Sequence, residues 1–531
     1  LKNMQRRKFI KKTAIAAGVS GVLQGIGFRA QASAGVFAPL LLPGTANDHI
    51  LVVIQMSGGN DGLNTVIPLD QYNKYVNARS NIAIAENKVL ALTGTNATGL
   101  HPSLTGIRDM YNEGQVCIVQ AAGYPNPNFS HFRATDIWMT AGNSDEYLTD
   151  GWLGRYLNGE NPGFPNGYPN AGNPDPLAIQ FGSGASLALL GPVTSMGYVI
   201  SDPDAFINNA NGGQDVVDVN TPMGEQLQYM RDIANQAELY NVVVKTAFNR
   251  PGNTNLTGYP TNKLADQLKI VARLINGGLQ TKIYVVNIGG FDTHAAQTNN
   301  GDTSTGTHAE LMSGLGDSIK AFHTDLKLMN KDQRVLGMTF SEFGRRIRSN
   351  GSGGTDHGYG APLFIFGSQA TGGIIGNNPI LPTNASVNDN VPMQNDFRNV
   401  YYSIMKRWLC QDSASLQQIM LHNYNELNIC NNSDCAPLGR SNTFSEVNYV
   451  NTAPNPATDS TIVSFETMGG HTLLQLVTKE GMPVQTLLEA TYSAPQTINR
   501  QINLSAYKTG LYYIRFQNGR RIQMKPLVIA R

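Results

Sequence analysis

Charge is scarce in this chain: only 15% of its 531 residues are Asp, Glu, Lys or Arg, and the formal net charge is +1. A nucleic-acid partner calls for a basic face, and that balance shows none. Cysteine is scarcer still, with four in the sequence, and their spacing matches no zinc pattern. Cys410, Cys430 and Cys435 cluster near one another with His422 alone between them, so one disulfide among the three is expected, without a preferred pair. Cys117 lies in the apolar run Val116–Gln120 and reads as a buried free thiol. Long apolar runs are missing too. The best candidate, Ala14–Phe28, is short and is interrupted by Gln24 and closed by Arg29, so no stable membrane span is expected after processing.

What is plentiful is glycine (55) and, to a lesser degree, proline (26), which points to a loop-rich fold rather than a helical bundle. The length calls for at least two domains. At the N-terminus, Arg6-Arg7-Lys8-Phe9-Ile10-Lys11 precedes the mildly apolar stretch, and Ala30-Gln31-Ala32 offers a small-residue cleavage site. This is the pattern of a twin-arginine export signal over residues 1–34, so the chain is expected to meet the twin-arginine machinery and to pass through the periplasm. That route carries folded proteins, which suits an enzyme loaded with metal beforehand.

Four apolar runs have the length and composition of buried strands, and each ends in residues with chemistry. His49–Met56 opens into Ser57-Gly58-Gly59-Asn60-Asp61-Gly62, which places Asp61 at a strand end, although Asn-Asp-Gly is also an ordinary Asx turn. Gly114–Ala122 leads through a Pro- and Asn-rich loop to Ser130, just before a helix-like stretch, Arg133–Thr140. A hydroxyl there faces backbone N–H groups that favour anions, while a helix cap is the commonest duty of such a serine. Thr281–Ile288 ends in Gly289-Gly290-Phe291-Asp292-Thr293-His294, with Gln297 and His308 downstream. Val335–Phe340 ends at Ser341-Glu342 and passes through a Gly-rich loop to Asp356-His357.

A doubly wound α/β sheet brings such strand ends to one edge, where ligands bind. Carboxylate and imidazole together are ligands for zinc, and carboxylates suit manganese, calcium or magnesium. The expected site therefore uses divalent ions held by Asp61, Asp292, His294, Asp356 and His357, with His308 and Glu342 as secondary ligands. Ser130 is the expected nucleophile, and Arg345 is placed to hold anionic substrate oxygens.

The blocks Gly58-Gly59-Asn60-Asp61-Gly62-Leu63-Asn64, Ser130-His131-Phe132, Gly290-Phe291-Asp292-Thr293-His294, Ser341-Glu342-Phe343-Gly344-Arg345 and Gly354-Thr355-Asp356-His357-Gly358 resemble a bacterial family known as domain of unknown function 1501. Members carry twin-arginine signals and look like relatives of sulfatases and alkaline phosphatases. The resemblance spans roughly residues 45–410 and implies an alkaline-phosphatase-like α/β domain over 45–440. It also implies that Asp61, Asp292, His294, Asp356 and His357 form two metal half-sites around Ser130. Two departures stand out: Asp292 and His294 are separated by one residue where the superfamily usually has three, and Phe343 stands where relatives often place a His. No Cys-x-Pro-x-Arg segment is present, which argues against a formylglycine sulfatase.

After Ser441 the texture changes to six alternating apolar runs between Thr461 and Ile529, separated by Gly469-Gly470, Glu480-Gly481 and Asn518-Gly519. These read as a small all-β, Ig-like sandwich. Ala453-Pro454-Asn455-Pro456-Ala457, Leu504–Ile514 and the ending Lys525–Arg531 resemble the type A sorting domain of type IX secretion substrates, over residues 448–531. The resemblance implies a type IX machinery partner and release or attachment at the cell surface. Taken together, the residues predict an exported hydrolase of small anionic phosphate or sulfate esters; the rival expectation is a non-catalytic surface or assembly protein on the same fold.

Overall fold

The computed structural model describes residues 48–165, 167–170, 172–192, 194–201, 238–431, 435, 450–478, 483–518 and 521–530. The twin-arginine stretch lies outside them, as does the start, Met223–Ala237, of the helical periodicity that the sequence carries over Met223–Phe248. The described residues group into two compact units, one ending by Leu438 and the other built mainly from residues 450–530. No helix among the described residues is long and apolar enough to cross a membrane.

The first unit is organised by β1 (Ile50–Ser57), a run rich in Ile, Val and Leu of the kind that central parallel strands need because both faces are buried. A three-stranded side sheet follows, from β2 (Val66–Pro68), β3 (Leu90–Leu92) and β4 (Thr95–Leu100), none of which the apolar pattern had announced. The main sheet continues with β5 (Val116–Gly123), β6 (Ala178–Phe181), β7 (Gly197–Ile200), β8 (Ile283–Gly289), β9 (Val335–Phe340), β10 (Ala361–Phe366), β11 (Gly373–Ile375) and β12 (Asn395–Asp396). Its nine strands run in the order β11-β5-β10-β9-β1-β8-β6-β7, with β12 beside β5.

β1 is parallel to β8 and β9, in a register that sets Ser57 opposite Gly289 and Gln55 opposite Phe340. The sheet is mixed rather than wholly parallel, because β10 runs antiparallel to both β9 and β5. That reversal matters for the site. It makes β1, β5, β8 and β9 end, and β10 begin, at one edge.

Helices cover both faces. On one, Val52, Ile54, Ile118, Tyr284 and Val286 pack with residues of the helices Thr105–Asn112, Lys263–Asn276 and Thr307–Leu328. On the other, the Trp138 ring stacks on Phe340 and Phe397. The amphipathic stretch Asp396–Leu409, whose pattern reads as a helix, is α-helical over Phe397–Ser403 and π-helical over Ile404–Trp408. Cys410 and Cys435 form the disulfide, and Cys117 and Cys430 are buried free thiols.

The second unit is an all-β antiparallel assembly of β13 (Val450–Ala453), β14 (Ser460–Thr478), β15 (Pro483–Asn503), β16 (Gly510–Asn518) and β17 (Arg521–Ile529). Four of the six expected strands are merged into two long ones. Gly469-Gly470 does not end a strand: β14 runs through it with a register shift between Met468 and Gly470, as at a β-bulge. The ring of Phe465 meets that of Phe516 at 5.3 Å, in a core shared with Val463, Leu474, Ile514 and Leu527.

Candidate metal centre

The close approach of three loops at the sheet edge depends on two glycines. Beyond β1 the chain turns through Gly58 (φ +125°) and Gly59 (φ +78°), angles at which a side chain is strained. A Cβ on Gly58 would lie 2.4 Å from the Asp292 nitrogen, and one on Gly59 2.3 Å from the Phe343 ring. The gap they leave admits the loop after β8 and the residues after β9. Glu342, buried, accepts the Gly58 N–H at 2.9 Å.

Arg345 ties these loops together. Its guanidinium donates to the carbonyls of Gly59 (2.6 Å), Thr355 (2.8 Å), Phe291 (3.1 Å) and Gly58, and to Asp292 Oδ1 at 2.7 Å. Every guanidinium nitrogen is thus engaged inside the protein. Burial pushes the Asp292 carboxyl up, but the hydrogen bond and charge of Arg345, with His357 and His294, outweigh it and hold the group at about 2.

Around Asp292 the imidazoles converge. His294 Nε2 and His357 Nε2 lie 3.1 and 3.2 Å from Asp292 Oδ1 and 2.9 Å from each other. From the far side, His131 Nε2 lies 3.5 Å from Asp292 Oδ2. Ligand atoms of His131, Asp292 and His357 all fall within 4.8 Å of one another, a grouping able to hold a metal ion. His131 opens the helix His131–Thr140, with Ser130 at its cap position. Ser130 is exposed, and its hydroxyl makes no capping hydrogen bond. Burial lowers the affinity of His357 for a proton, against the opposing pull of the Phe129 carbonyl and Asp292.

Two family models match the chain. Residues 245–405 match the model described as protein of unknown function (DUF1501), and residues 451–530 match a secretion system C-terminal sorting domain. The first of these matches spans under a third of the chain. The sorting-domain match indicates a type IX secretion partner and export to the cell surface or extracellular space. No curated protein matches the chain. Among solved structures, it is similar to a protein in the alkaline phosphatase superfamily from Vibrio parahaemolyticus, at 7% identity and TM-score 0.32, over 99% of this chain and 91% of that one. It is also similar to a phosphonate monoester hydrolase from Silicibacter pomeroyi, at 8% identity and TM-score 0.28, over 91% and 89% of the two chains. A lipoteichoic acid synthase from Listeria monocytogenes matches at 10% identity and TM-score 0.23, over 65% and 74%. The α/β class itself rests on the strand pairing.

The DUF1501 segment contains Asp292, His294, His308, Glu342, Arg345, Asp356 and His357, and leaves Asp61, Ser130 and His131 outside it. Of these, Asp292, His294 and His357 meet directly. Asp356 reaches the cluster through His294, its Oδ1 lying 3.3 Å from Nδ1 and accepting from Asn350 at 3.0 Å. Glu342 reaches it through His131, at 2.7 Å from Nδ1.

Asp61 and His308 are held elsewhere. Both Asp61 oxygens lie 2.8 Å from Arg79, and Gln297 donates to Oδ2 at 2.6 Å. Burial disfavours the Asp61 charge, yet Arg79, His308 and Gln297 together outweigh it, and its carboxyl stays below the ordinary value. Sequence reasoning assigned no role to His131, Arg79 or Gln297. His131 could have been found from its place directly after Ser130, in the same strand-end block; Arg79 and Gln297 carry no local signal.

His308 is buried against Asn60 (3.2 Å) and edge-on to His101, and burial lowers it to about 4 and His101 to about 3. Both begin from 6.5 in the unfolded chain. Between the two values the unfolded chain carries a proton that the native one refuses, so stability rises with pH across that window. On acidification from pH 7 to 4, each should remove up to about 1.4 kcal/mol per pH unit below its free value. Urea midpoints at pH 7 and pH 5 check this: His308→Asn should flatten the decline, and an unchanged slope would contradict it.

Proposed function

We propose that the chain is an exported, metal-dependent hydrolase of phosphate or sulfate esters, working at one metal centre beside a serine. The carrying observation is the convergence of His131, Asp292 and His357 at the sheet edge. The donor set fits a divalent ion: two neutral imidazoles with a carboxylate is a usual catalytic combination. His131 Nε2 supports the fit, being a buried ring nitrogen without a hydrogen-bond partner.

A divalent ion held there would supply a Lewis acid for an ester oxygen. The protein contributes the rest. Ser130 presents an uncommitted, exposed hydroxyl one residue before His131, as a nucleophile at a helix N-terminus whose N–H groups favour an anionic ester. Arg345 fixes the Asp292 carboxylate rather than the substrate.

The test is a panel of aryl phosphate and sulfate mono- and diesters, assayed with zinc, manganese, magnesium or calcium. Turnover of at least one class is expected, falling to background in Ser130→Ala while metal content is unchanged. Full turnover in that variant would remove the nucleophile role. A second reading, a surface protein that keeps the ion without the chemistry, draws on the burial of Arg345, whose guanidinium is spent on backbone carbonyls. It predicts metal binding with no turnover of any ester.

A further inference from the structure

Resting on the metal centre proposed above, we infer that the ion is a first-row transition metal held by four ligands, His131, His294 and His357 through Nε2 and Asp292 through its carboxylate, while Glu342 and Asp356 are positioning residues.

Spacing is the first support. Two atoms each about 2.1 Å from one ion are about 3.0 Å apart at a right angle and about 3.4 Å apart at the tetrahedral angle. The separations His294–His357 (2.9 Å), His294–Asp292 Oδ1 (3.1 Å), His357–Asp292 Oδ1 (3.2 Å) and His131–Asp292 Oδ2 (3.5 Å) lie close to that interval. With both rings donating from Nδ1, Nε2 of His294 and Nε2 of His357 would face each other at 2.9 Å as two lone pairs, an arrangement that a cation between them relieves.

The tautomers are the second, independent support. The opposite nitrogen of each ring meets an acceptor. His131 Nδ1 meets Glu342 Oε1 at 2.7 Å, His357 Nδ1 the Phe129 carbonyl at 2.8 Å, and His294 Nδ1 meets Asp356 Oδ1 at 3.3 Å. A ring that donates from Nδ1 presents a lone pair at Nε2, and this outer hydrogen bond is what metal-bound imidazoles habitually make. The Nε2 lone pairs of all three rings then face the Asp292 carboxylate, those of His294 and His357 at Oδ1 and that of His131 at Oδ2. Glu342 is itself fixed by the Gly58 N–H, and Asp356 by Asn350. Imidazole-rich sets select zinc, iron, nickel or copper over magnesium and calcium, which prefer oxygen.

X-ray absorption on the full chain loaded with zinc, together with affinities from a chromogenic chelator, tests the inference. Three imidazoles around the ion are expected, with a large excess of magnesium or calcium failing to displace it. Glu342→Ala and Asp356→Ala should weaken zinc by about 10–100-fold without changing stoichiometry, and Glu342→Gln, which still accepts from His131, should recover part of the loss. Selective nitrogen-15 labelling of histidine in the metal-free protein should show His131 leaving the Nδ1–H tautomer in Glu342→Ala alone. One imidazole or none around the ion, displacement by magnesium, or unchanged affinity in Glu342→Ala and His294→Ala would overturn the four-ligand assignment while leaving a metal centre in place. A wild-type chain that binds no ion would overturn the proposed function as well.

Discussion

Asp292→Ala should abolish metal binding, lowering zinc affinity by more than the roughly 100-fold that the loss of an outer partner costs. The residue is shared by every part of the cluster. Its Oδ1 lies 3.1 Å from His294, 3.2 Å from His357 and 2.7 Å from Arg345, and Oδ2 lies 3.5 Å from His131. Removing it takes away the one carboxylate in direct reach of all three rings. It also leaves the Arg345 guanidinium, buried among carbonyls, to repel an incoming cation. Asp292→Asn keeps the shape and an acceptor but loses the charge, so it should fall between wild type and alanine. Competition with a chromogenic chelator measures both, and unchanged zinc affinity in the alanine variant would remove Asp292 from the site.

Arg79→Met should destabilise the first unit by about 3–5 kcal/mol, the usual cost of leaving one partner of a buried ion pair alone. Arg79 and Asp61 are both fully buried, and the guanidinium also donates to Asn64 and to the carbonyls of Arg346 and Ile347. Arg79, at the end of the helix Tyr72–Ala78, thus fastens that helix to the loop after β1 through Asp61 and, through the two carbonyls, to the chain that leads to Asp356. Adding Asp61→Asn to Arg79→Met should recover part of the loss, because the stranded charge is then gone. Urea unfolding followed by tryptophan fluorescence is the measurement: Trp138, Trp152 and Trp408 all belong to the first unit, so the signal reports on it alone. A midpoint equal to wild type in Arg79→Met would contradict the assignment.

The main strands were legible because they are pure. Val335–Phe340 is the observed β9 to the residue, and Thr281–Ile288 is shifted by two at its start and one at its end. Runs buried on both faces leave nothing for periodicity to confuse. The side sheet was not legible, since Thr95–Leu100 contains Asn, Thr and Gly and gains its pairing from tertiary contacts. The long β14 hid behind a glycine pair that makes a bulge where a turn was expected, and β15 runs opposite it through Thr491–Gln496, where the apolar pattern lapses.

For the site, the sequence could say which residues stand at strand ends, but not which way they face. Asp61 and Asp292 follow parallel neighbours, yet Asp61 is enclosed by Arg79 and Gln297, whereas Asp292, paired with Arg345, also faces three imidazoles. What separates them is Arg79, eighteen positions from Asp61 and without any local mark of its role. Likewise, Glu342 resembles a ligand in sequence and meets His131 Nδ1 in space.

The most direct measurement is the metal content of the purified full chain, exposed to zinc, desalted, and analysed by inductively coupled plasma mass spectrometry. One ion per chain is expected for wild type, and none for His131→Ala combined with Asp292→Ala. An empty wild-type chain, or equal metal in that double variant, would contradict a centre built from these side chains.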